Sequence, residues 1–286
     1  SGQVLSTNGS GTLSWATSSG SSDVDGLSDA KSAGTNFTGS LIIGHQTTGT
    51  LNAATYNTAV GLTALDAITT GDYNVGVGYN ALSSNTTGVS NTAIGKGALE
   101  DNTSGEGNTG VGYVALANNT SASYNTAIGN GVLAYNTTGA YNTGMGYNPL
   151  SSNTTGARNL AIGYGALDAP DTENDNLAIG YDALGGAIAG GEYNVAIGNY
   201  SLDALTTGDK NVAVGYDALT ANTTGDNNTA YGYQSLSSNT TGIRNTASGA
   251  FSLSSNTTGN YNAASGYQSL NANTTGSSNT ASGYYS

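Results

Sequence analysis

The side chains that most often carry out catalysis are scarce in this chain. It has one histidine, His45, and no cysteine among its 286 residues. A single imidazole without a readable set of partners does not make a nucleophilic triad, and the lack of thiols excludes thiolate metal sites and disulfides. The Gly-x-Gly stretch at 76–78 lacks the strand–loop–helix context and the lysine of a phosphate-binding loop. We therefore expect no enzymatic activity and no cofactor.

Acidic residues form one candidate surface site. The segment 168–175 carries four carboxylates, and the next loop, 185–191, contains an inserted residue. Carboxylate oxygens suit Ca²⁺, but their spacing does not match an EF-hand loop. A tolerated insertion in a solvent-exposed loop is the favoured interpretation, and a calcium or ligand site on the side of the protein is the alternative. The candidate residues are Asp168, Asp171, Glu173 and Asp175.

The charge of the chain limits its partners. The formal net charge is −13, and the five basic residues are far apart in sequence. No basic patch is present to neutralise phosphates, so we expect no nucleic-acid binding. No apolar run approaches the roughly 20 residues that a membrane helix needs, so we expect no membrane insertion.

A 17-residue repeat determines which elements position all of these residues. From Asn57 onward an asparagine recurs every 17 residues, with a single interval of 18 between Asn176 and Asn194, which gives 14 copies, the last one incomplete. We number each repeat from this asparagine as position 0. Position +4 is always Gly, position +2 is Ala or Gly, and position +8 is Leu in every complete copy. Representative members of the three columns are Asn57, Asn91, Asn125, Asn159 and Asn211; Gly61, Gly95, Gly129, Gly163 and Gly215; Leu65, Leu99, Leu133, Leu167 and Leu219.

This period predicts an all-β fold, a parallel β-solenoid of 17-residue coils. Repeats built from pairs of helices are longer, at roughly 33–47 residues. We expect a first strand from −1 to +3, a corner with positive φ at the +4 glycine, a second strand from +5 to +9, and a polar Asn-Thr-Thr-Gly turn. The leucine column would form the spine of the core, and the asparagine column would form an amide ladder along a rod roughly 65 Å long.

Three regions follow from this pattern. Residues 1–25 are predicted to form a β-hairpin, with a turn at Asn8-Gly9, and a linker. Residues 26–56 are a transition or capping segment with one strand at 40–43, and residues 57–286 are the solenoid array.

The first strand also suggests an oligomer. Side chains alternate between its faces, so 0 and +2 share one face, while +1 and +3, mostly β-branched or aliphatic, share the other. A strand without charge on either face is typical of burial on both sides, and a thin coil has one inside. The second face would then need another chain, and the face of Asn with Ala or Gly hints at this contact, although a narrow coil alone would also explain the small residue at +2. In the last copies +3 becomes Tyr231, Ser248, Ser265 and Ser282; this column would either line a polar oligomer axis or open to solvent.

The motif Asn-Thr-Ala-Ile-Gly-x-x-Ala-Leu at 91–99, repeated with Leu at +1 at 159–167, resembles the YadA-like head repeat of trimeric autotransporter adhesins. Similar arrays occur in phage tail-fibre proteins, to which the segment 2–16 is also similar. The resemblance covers roughly residues 40–286, and the adhesin repeat is a few residues shorter. It implies an intertwined homotrimer in a structural or adhesive fibre, most readily a phage tail fibre, because no stalk or anchor pattern accompanies the repeats. Such a fibre would lie on a virion tail or at a cell surface and meet a host cell-surface glycan or protein.

Two alternatives remain open at this level. The chain could be a self-assembling extracellular filament or a bacterial surface adhesin, since the end coils of a solenoid are unpaired strand edges. Ice binding is a remote alternative, because the threonines at +1, +12 and +13 do not predict a flat paired array. The Asn-Thr-Thr turns match the N-glycosylation pattern, but duplication of a turn explains them better.

Overall fold

We describe a computed structural model of the chain, which covers residues 3–7, 13–17, 30–32, 41–43, 54–169 and 172–286. The described part contains only strands and turns. The strands are β1 (Gln3–Thr7), β2 (Leu13–Thr17), β3 (Ala30–Ser32), β4 (Leu41–Ile43), β5 (Thr58–Val60), β6 (Val75–Val77), β7 (Thr92–Ile94), β8 (Thr109–Val111), β9 (Thr126–Asn130), β10 (Thr143–Tyr147), β11 (Leu160–Ile162), β12 (Leu177–Ile179), β13 (Val195–Ile197), β14 (Val212–Val214), β15 (Thr229–Tyr231), β16 (Thr246–Ser248), β17 (Ala263–Ser265) and β18 (Thr280–Ser282).

The strands from β4 to β18 form one parallel array in chain order, which confirms the predicted β-solenoid. Each strand pairs in register with its equivalent one coil later, so that Thr143 lies beside Leu160 and Met145 beside Ile162. The 18-residue coil preserves this register, because Leu177 still pairs with Val195. Strand β3 pairs antiparallel to β4 at the N-terminal edge. Strands β1 and β2 pair antiparallel in a separate two-stranded sheet, as a hairpin requires; its predicted turn at Asn8-Gly9 lies outside the described residues.

The asparagine column at position 0 forms the predicted ladder inside the coil. Each side-chain Oδ1 accepts a hydrogen bond from the backbone N–H of the next asparagine, as Asn57 does from Asn74 at 2.8 Å. Each Nδ2 donates to the carbonyl that closes its own coil, as Asn74 does to Gly88 at 2.9 Å. Most contacts are thus from amide to backbone rather than from amide to amide. They satisfy polar backbone groups that would otherwise be buried without partners.

The glycine corner and the leucine spine are confirmed. The +4 glycines have φ between 124° and 142°. A Cβ at any of them from Gly61 to Gly266 would lie within 3.0 Å of the backbone of the equivalent glycine in the next coil. Stacking therefore requires glycine at +4 for two reasons: its backbone conformation and its lack of a side chain. The +8 leucines are fully buried from Leu65 to Leu253, and Leu270 in the last complete coil is partly buried.

The predicted second strand from +5 to +9 is wrong. This segment is a chain of turns in most coils, and only β9 and β10 extend as far as position +5. The reason lies in the backbone: residues at +6 and +8 adopt left-handed conformations, as Asn80 (φ 57°) and Leu82 (φ 54°) do. Left-handed residues curl the chain, whereas a strand needs extended ones. Hydrogen bonds to the next coil persist through these turns, as from Leu82 N–H to the Ala98 carbonyl at 3.1 Å.

The prediction that the asparagine and alanine face meets other chains is also wrong. Position 0 and position +2 point into the coil, where Asn125 and Ala127 are fully buried. The residue at +2 is small because the coil is narrow: a Cβ at Gly76 would lie 3.4 Å from the Leu65 side chain. The face without a covering layer is instead the one formed by positions +1 and +3.

A second asparagine ladder fills the opposite part of the interior, at position +11. It runs through Asn85, Asn102, Asn119, Asn136 and Asn153, and each Nδ2 donates to the preceding Oδ1 and to the +14 carbonyl, as Asn119 does at 2.7 and 3.0 Å. Apolar residues replace it in three coils, where Ile68, Ile188 and Leu205 are buried. The ladder resumes from Asn222 to Asn273.

Candidate functional site

The functional surfaces of this molecule must lie on its outside, because the interior is filled by structural columns. The two asparagine ladders, the alanines and the leucines are buried along the described array. Their hydrogen bonds are made to the backbone and to one another, and among the described residues the Asn153 Oδ1 is the one buried polar side-chain atom without a partner. Two ordered surfaces remain, and both run along the stack of coils.

The first surface is the aliphatic face, which consists of the +1 and +3 side chains of strands β5 to β14. Its +3 members are half-exposed: Ile94 is 42% exposed and Met145 is 43% exposed. Nothing in the described part of the chain covers this face. Burying a half-exposed Val or Ile contributes roughly 1 kcal/mol. Burial of a row of ten such residues would therefore contribute substantially to the free energy of association. Its +3 residues are Val60, Val77, Ile94, Val111, Ile128, Met145, Ile162, Ile179, Ile197 and Val214.

The aliphatic face ends at β14. From β15 onward the +3 residues are polar and more open, and Tyr231 is 61% exposed. The strands β15, β16 and β17 leave both outward positions exposed, whereas most earlier strands leave +1 partly covered. These late outward positions are therefore open to solvent in the single chain.

The second surface is the aromatic strip, which is formed by consecutive ring side chains at +5 and +6. Their ring centroids are 4.9 to 6.0 Å apart from one coil to the next. Most of the rings are exposed, for example Tyr164 at 50% and Tyr233 at 47%. The strip consists of Tyr147, Tyr164, Tyr181, Tyr200, Tyr216, Tyr233, Phe251, Tyr267, Tyr284 and Tyr285.

The strip stays continuous where the repeat itself changes. Two coils have Asn199 and Ala250 at +5, and in both the ring moves to +6, as Tyr200 and Phe251. These two rings remain in line but turn by 63° to 84° relative to their neighbours. The N-terminal coils have no such substitution: their +5 column reads Leu62, Tyr79, Lys96, Tyr113 and Asn130.

Other aromatic contacts are short and local. Two stacked pairs occur at position −1, Tyr56 with Tyr73 and Tyr124 with Tyr141, with centroids 5.1 and 5.3 Å apart. The Tyr124 hydroxyl donates to the Glu106 carboxylate at 2.7 Å. This hydrogen bond raises the pKa of Tyr124. Because the −1 column is interrupted by residues such as Ser90 and Gly107, it offers no extended surface.

The carboxylates of the predicted acidic site at 168–175 differ in burial and in their hydrogen-bond partners. Glu173 occupies the +14 position and is buried, with its carboxylate accepting the Thr172 N–H at 3.0 Å. Asp175 is exposed to solvent on one side and forms a two-point ion pair with Arg158 at 2.6 and 2.7 Å, which lowers the pKa of Asp175. Asp171 lies outside the described residues. Among the described residues, no group of three or more His, Asp or Glu side chains has metal-binding geometry.

Asp168 belongs to a different cluster that extends along the coils. Burial raises its pKa, and the neighbouring carboxylates of Asp182 and Asp203 add to the effect. Burial likewise raises the pKa of Asp203, assisted by Asp182 and Asp217. These carboxylates share one side of the rod, and they make this side unfavourable for any anion.

The second asparagine ladder is incomplete at one residue next to this region. Asn153 donates to Asn136 at 2.7 Å and to Gly156 at 3.0 Å, but its buried Oδ1 has no hydrogen-bond partner among the described residues. The following coil has Pro170 at the ladder position, and proline lacks an amide side chain. The interruption of the repeat is therefore visible in the core as well as in the loop.

The Asn-Thr-Thr turns cannot accept glycans in the folded chain where their asparagine belongs to the second ladder. Asn85, Asn136, Asn222, Asn239 and Asn256 are fully buried. Their side-chain nitrogens are also committed to hydrogen bonds, as that of Asn85 is to Gly88 at 3.0 Å. The interpretation of these segments as repeated turns is supported.

Sequence reasoning missed two features of the surface. It expected contact with other chains on the wrong face of the first strand, the one formed by positions 0 and +2. The β-branched and aliphatic residues at +1 and +3 were the signal that could have identified the outer face. Sequence reasoning also missed the rings at +6 that compensate for the missing rings at +5. The sequence contains a signal for them, since Tyr200 and Phe251 lie in the only two coils after Tyr147 that have no ring at +5.

No protein-family model matches this chain, and no curated protein or solved structure matches it significantly. The part of the chain that the structure describes contains no helix with the length and apolar character needed to cross a bilayer.

Proposed function

We propose that this chain is a structural and adhesive fibre module that assembles as a homotrimer through the aliphatic face. The observation that carries the proposal is the continuous row of half-exposed aliphatic side chains on ten successive coils, of which Ile94 and Met145 are the most open of the central ones. A monomer in water gains nothing from such a row, whereas three copies around an axis would bury it. The similarity of the repeat to trimeric head repeats supports the number three.

The role of the trimer is to space or present receptor-binding parts at a distance from the particle or cell that carries it. A stack of coils in register makes a rod whose length grows with each repeat. The buried columns of the described coils bond to the backbone and to one another, which supports scaffolding rather than catalysis. We place the module outside a cell, in a phage tail fibre or at a cell surface, on the strength of the motif and of the fibre-like fold.

Cysteine cross-linking tests the proposal directly, because the chain has no cysteine of its own. Ile128→Cys places a thiol at the +3 position of the aliphatic face, and Thr138→Cys places one in an exposed turn of the same coil region as a control. We expect light scattering to give three times the chain mass for both variants. Mild oxidation should link chains in Ile128→Cys and leave Thr138→Cys unlinked.

The result that contradicts the proposal is a stable monomer, or cross-linking that is equal at the two positions. Ser265→Cys adds information about the last coils. Linking at Ser265 would place the polar +3 column on the trimer axis, and its absence would mean that the three chains separate beyond β14. Adsorption to host cells after deletion of whole 17-residue repeats then tests presentation, and unchanged adsorption would argue against it.

A further inference from the structure

The aromatic strip lies beside the aliphatic face and is distinct from it. Its rings follow the glycine corner, whereas the aliphatic face precedes it. Structural stacking alone does not account for the strip, because the N-terminal coils fold without it. Lys96 and Asn130 stand at the same position in well-packed coils whose leucines, Leu99 and Leu133, are fully buried. The coil therefore does not need a ring at +5.

The rings are placed for contact along the whole strip. They are largely exposed, and the spacing of 4.9 to 6.0 Å leaves no gap in the column between Tyr147 and Tyr285. Where +5 lacks a ring, Tyr200 or Phe251 supplies one and turns its plane relative to its neighbours. An extended ligand that lies parallel to the rod would meet an aromatic group at every strand spacing.

Polar groups line the strip at +6 and restrict the chemistry of the ligand. Asp182, Asp217, Gln234 and Gln268 occupy this position in four of its coils. The Gln234 amide donates to the Asp217 carboxylate at 3.2 Å, which leaves further acceptor capacity at that carboxylate. The Asp182 and Asp217 carboxylates raise the pKa of Tyr181 and Tyr216, and the two phenol hydroxyls are further hydrogen-bond donors.

We infer that the aromatic strip binds an extended, uncharged polysaccharide. A pyranose ring has apolar C–H faces that pack on aromatic groups and hydroxyls that bond to carboxylates, amides and phenols. The acids beside the strip and the net charge of −13 disfavour polyanions. A second copy of the chain is a poorer occupant, because two identical strips would bring Asp182 and Asp217 of both copies together. The inference deepens the proposed function, since it names the class of receptor that the fibre would meet.

The experiment measures binding of the purified full-length chain to immobilised polysaccharides. The probes are dextran, a soluble β-1,3-glucan and a galactomannan, with chondroitin sulfate as the polyanion. The test variant is Tyr216→Asn with Tyr233→Asn, which removes one stacked pair of the strip, whose centroids are 5.5 Å apart. The matched control is Tyr124→Asn with Tyr141→Asn, which removes a stacked pair of the −1 column at 5.3 Å. Asparagine is a native occupant of +5 at Asn130 and Asn199, so the test variant is expected to fold.

We expect the wild type to bind at least one of the neutral polysaccharides and the test variant to bind it roughly tenfold more weakly, while the control changes by less than about twofold. Tyr164→Asn gives a milder single-site version should the double variant melt at a lower temperature. The inference is overturned by lack of binding to all three neutral polymers, by equal losses in the test and control variants, or by stronger binding of chondroitin sulfate. A fall in oligomer mass in the test variant would also overturn it, because the strip would then be an interface between copies.

These outcomes separate the inference from the proposed function. Light scattering of the wild type reports the trimer independently of any sugar. If the chain is a trimer that does not bind neutral polysaccharides, the inference about the aromatic strip is refuted and the proposed fibre module stands. If the chain is a monomer that binds them, the proposed trimer is refuted and the inference about the strip stands.

Discussion

The coils that contain β5 to β14 and the four coils that contain β15 to β18 share one interior and differ in their exteriors. In both regions asparagine at position 0 bonds to the next coil at 2.8 to 3.0 Å, as at Asn142 and Asn262. Leu133 and Leu253 are equally buried. Outside, the aliphatic +3 column gives way to Tyr231 and serines, while the aromatic strip continues. The comparison teaches that the inward columns specify the coil, and that the outward columns vary independently of it.

The largest expected effect comes from substitutions at the +4 glycines, and it tests whether the interior is the same in both regions. Gly129→Ala and Gly249→Ala each put a Cβ within 3.0 Å of the backbone of the next coil at a φ of 133° or 138°. We expect each to cost more than about 4 kcal/mol of unfolding free energy, measured by urea denaturation followed by circular dichroism.

Gly190→Ala is the matched control for this clash. Its φ is 127°, yet nothing lies within 4 Å of the added Cβ. It should therefore show backbone strain alone, about 1–3 kcal/mol. A Gly190 variant as damaging as the other two would mean that conformation, and not stacking, fixes glycine at this corner.

The leucine spine gives the next largest effect. Leu133→Ala in the first region and Leu253→Ala in the second each remove a fully buried side chain. Both should lose about 3 kcal/mol, because the cavities are equivalent. Denaturant titration of the two variants checks this, and a loss in one that is more than twice the loss in the other would show that the two interiors differ in packing.

The second asparagine ladder yields a smaller difference between its middle and its end. Asn119→Leu leaves the buried Asn102 Oδ1 without its donor at 2.7 Å. Asn153→Leu leaves Asn136 Oδ1 without a donor but also removes the Asn153 Oδ1 that already lacks one. Leucine is a native occupant of this column at Leu205. We expect Asn119→Leu to be less stable than Asn153→Leu by about 1–2 kcal/mol, and equal melting curves would refute the ladder as a source of stability.

The smallest effect concerns two partly buried acids on the outside of the first region. Burial raises the pKa of Asp168 and Asp203 above the ordinary value of 3.8. The folded state therefore holds their protons more tightly than the unfolded state does, and stability falls as the pH rises from 3.8 through the raised values. Because both groups are partly exposed, Asp168→Asn with Asp203→Asn should gain only about 0.3 kcal/mol at neutral pH.

Asp175→Asn is the control with the opposite sign. Arg158 lowers the pKa of Asp175, so this carboxylate stabilises the fold above pH 3.8 and the stabilisation is lost as the pH falls through the lowered value. Thermal melts of both variants across this pH range check the two signs. A gain in stability from Asp175→Asn at neutral pH would contradict the assignment.

The period of the repeat was sufficient to predict the solenoid, its leucine spine, its glycine corner and its main asparagine ladder. These features depend on columns of one residue type, and a column in a 17-residue repeat has a direct physical meaning. The turns at +5 to +9 could not be predicted in the same way, because Leu82 and its equivalents adopt left-handed backbone that leucine rarely takes. Tertiary stacking overrides the local preference there.

The surface was less predictable than the core for a related reason. Neither face of the first strand carries a charge, and the pattern alone did not say that Ala127 points inward and Ile128 outward. The acidic segment 168–175 was predicted as one site, but Glu173, Asp175 and Asp168 turn toward different neighbours. A loop that breaks the period gives no column from which side-chain direction can be inferred.

The backbone hydrogen bonds between coils join residues that are about one repeat apart in the chain, as Thr92 N–H joins the Asn108 carbonyl, 16 residues further on, at 2.8 Å. This separation is short compared with the 286 residues of the whole. A newly made coil therefore needs only its predecessor as a template, so folding can proceed one turn at a time during synthesis and never waits for a distant segment. The same feature makes length an adjustable property: one duplicated repeat lengthens the rod by about 4.8 Å and leaves every existing contact in place.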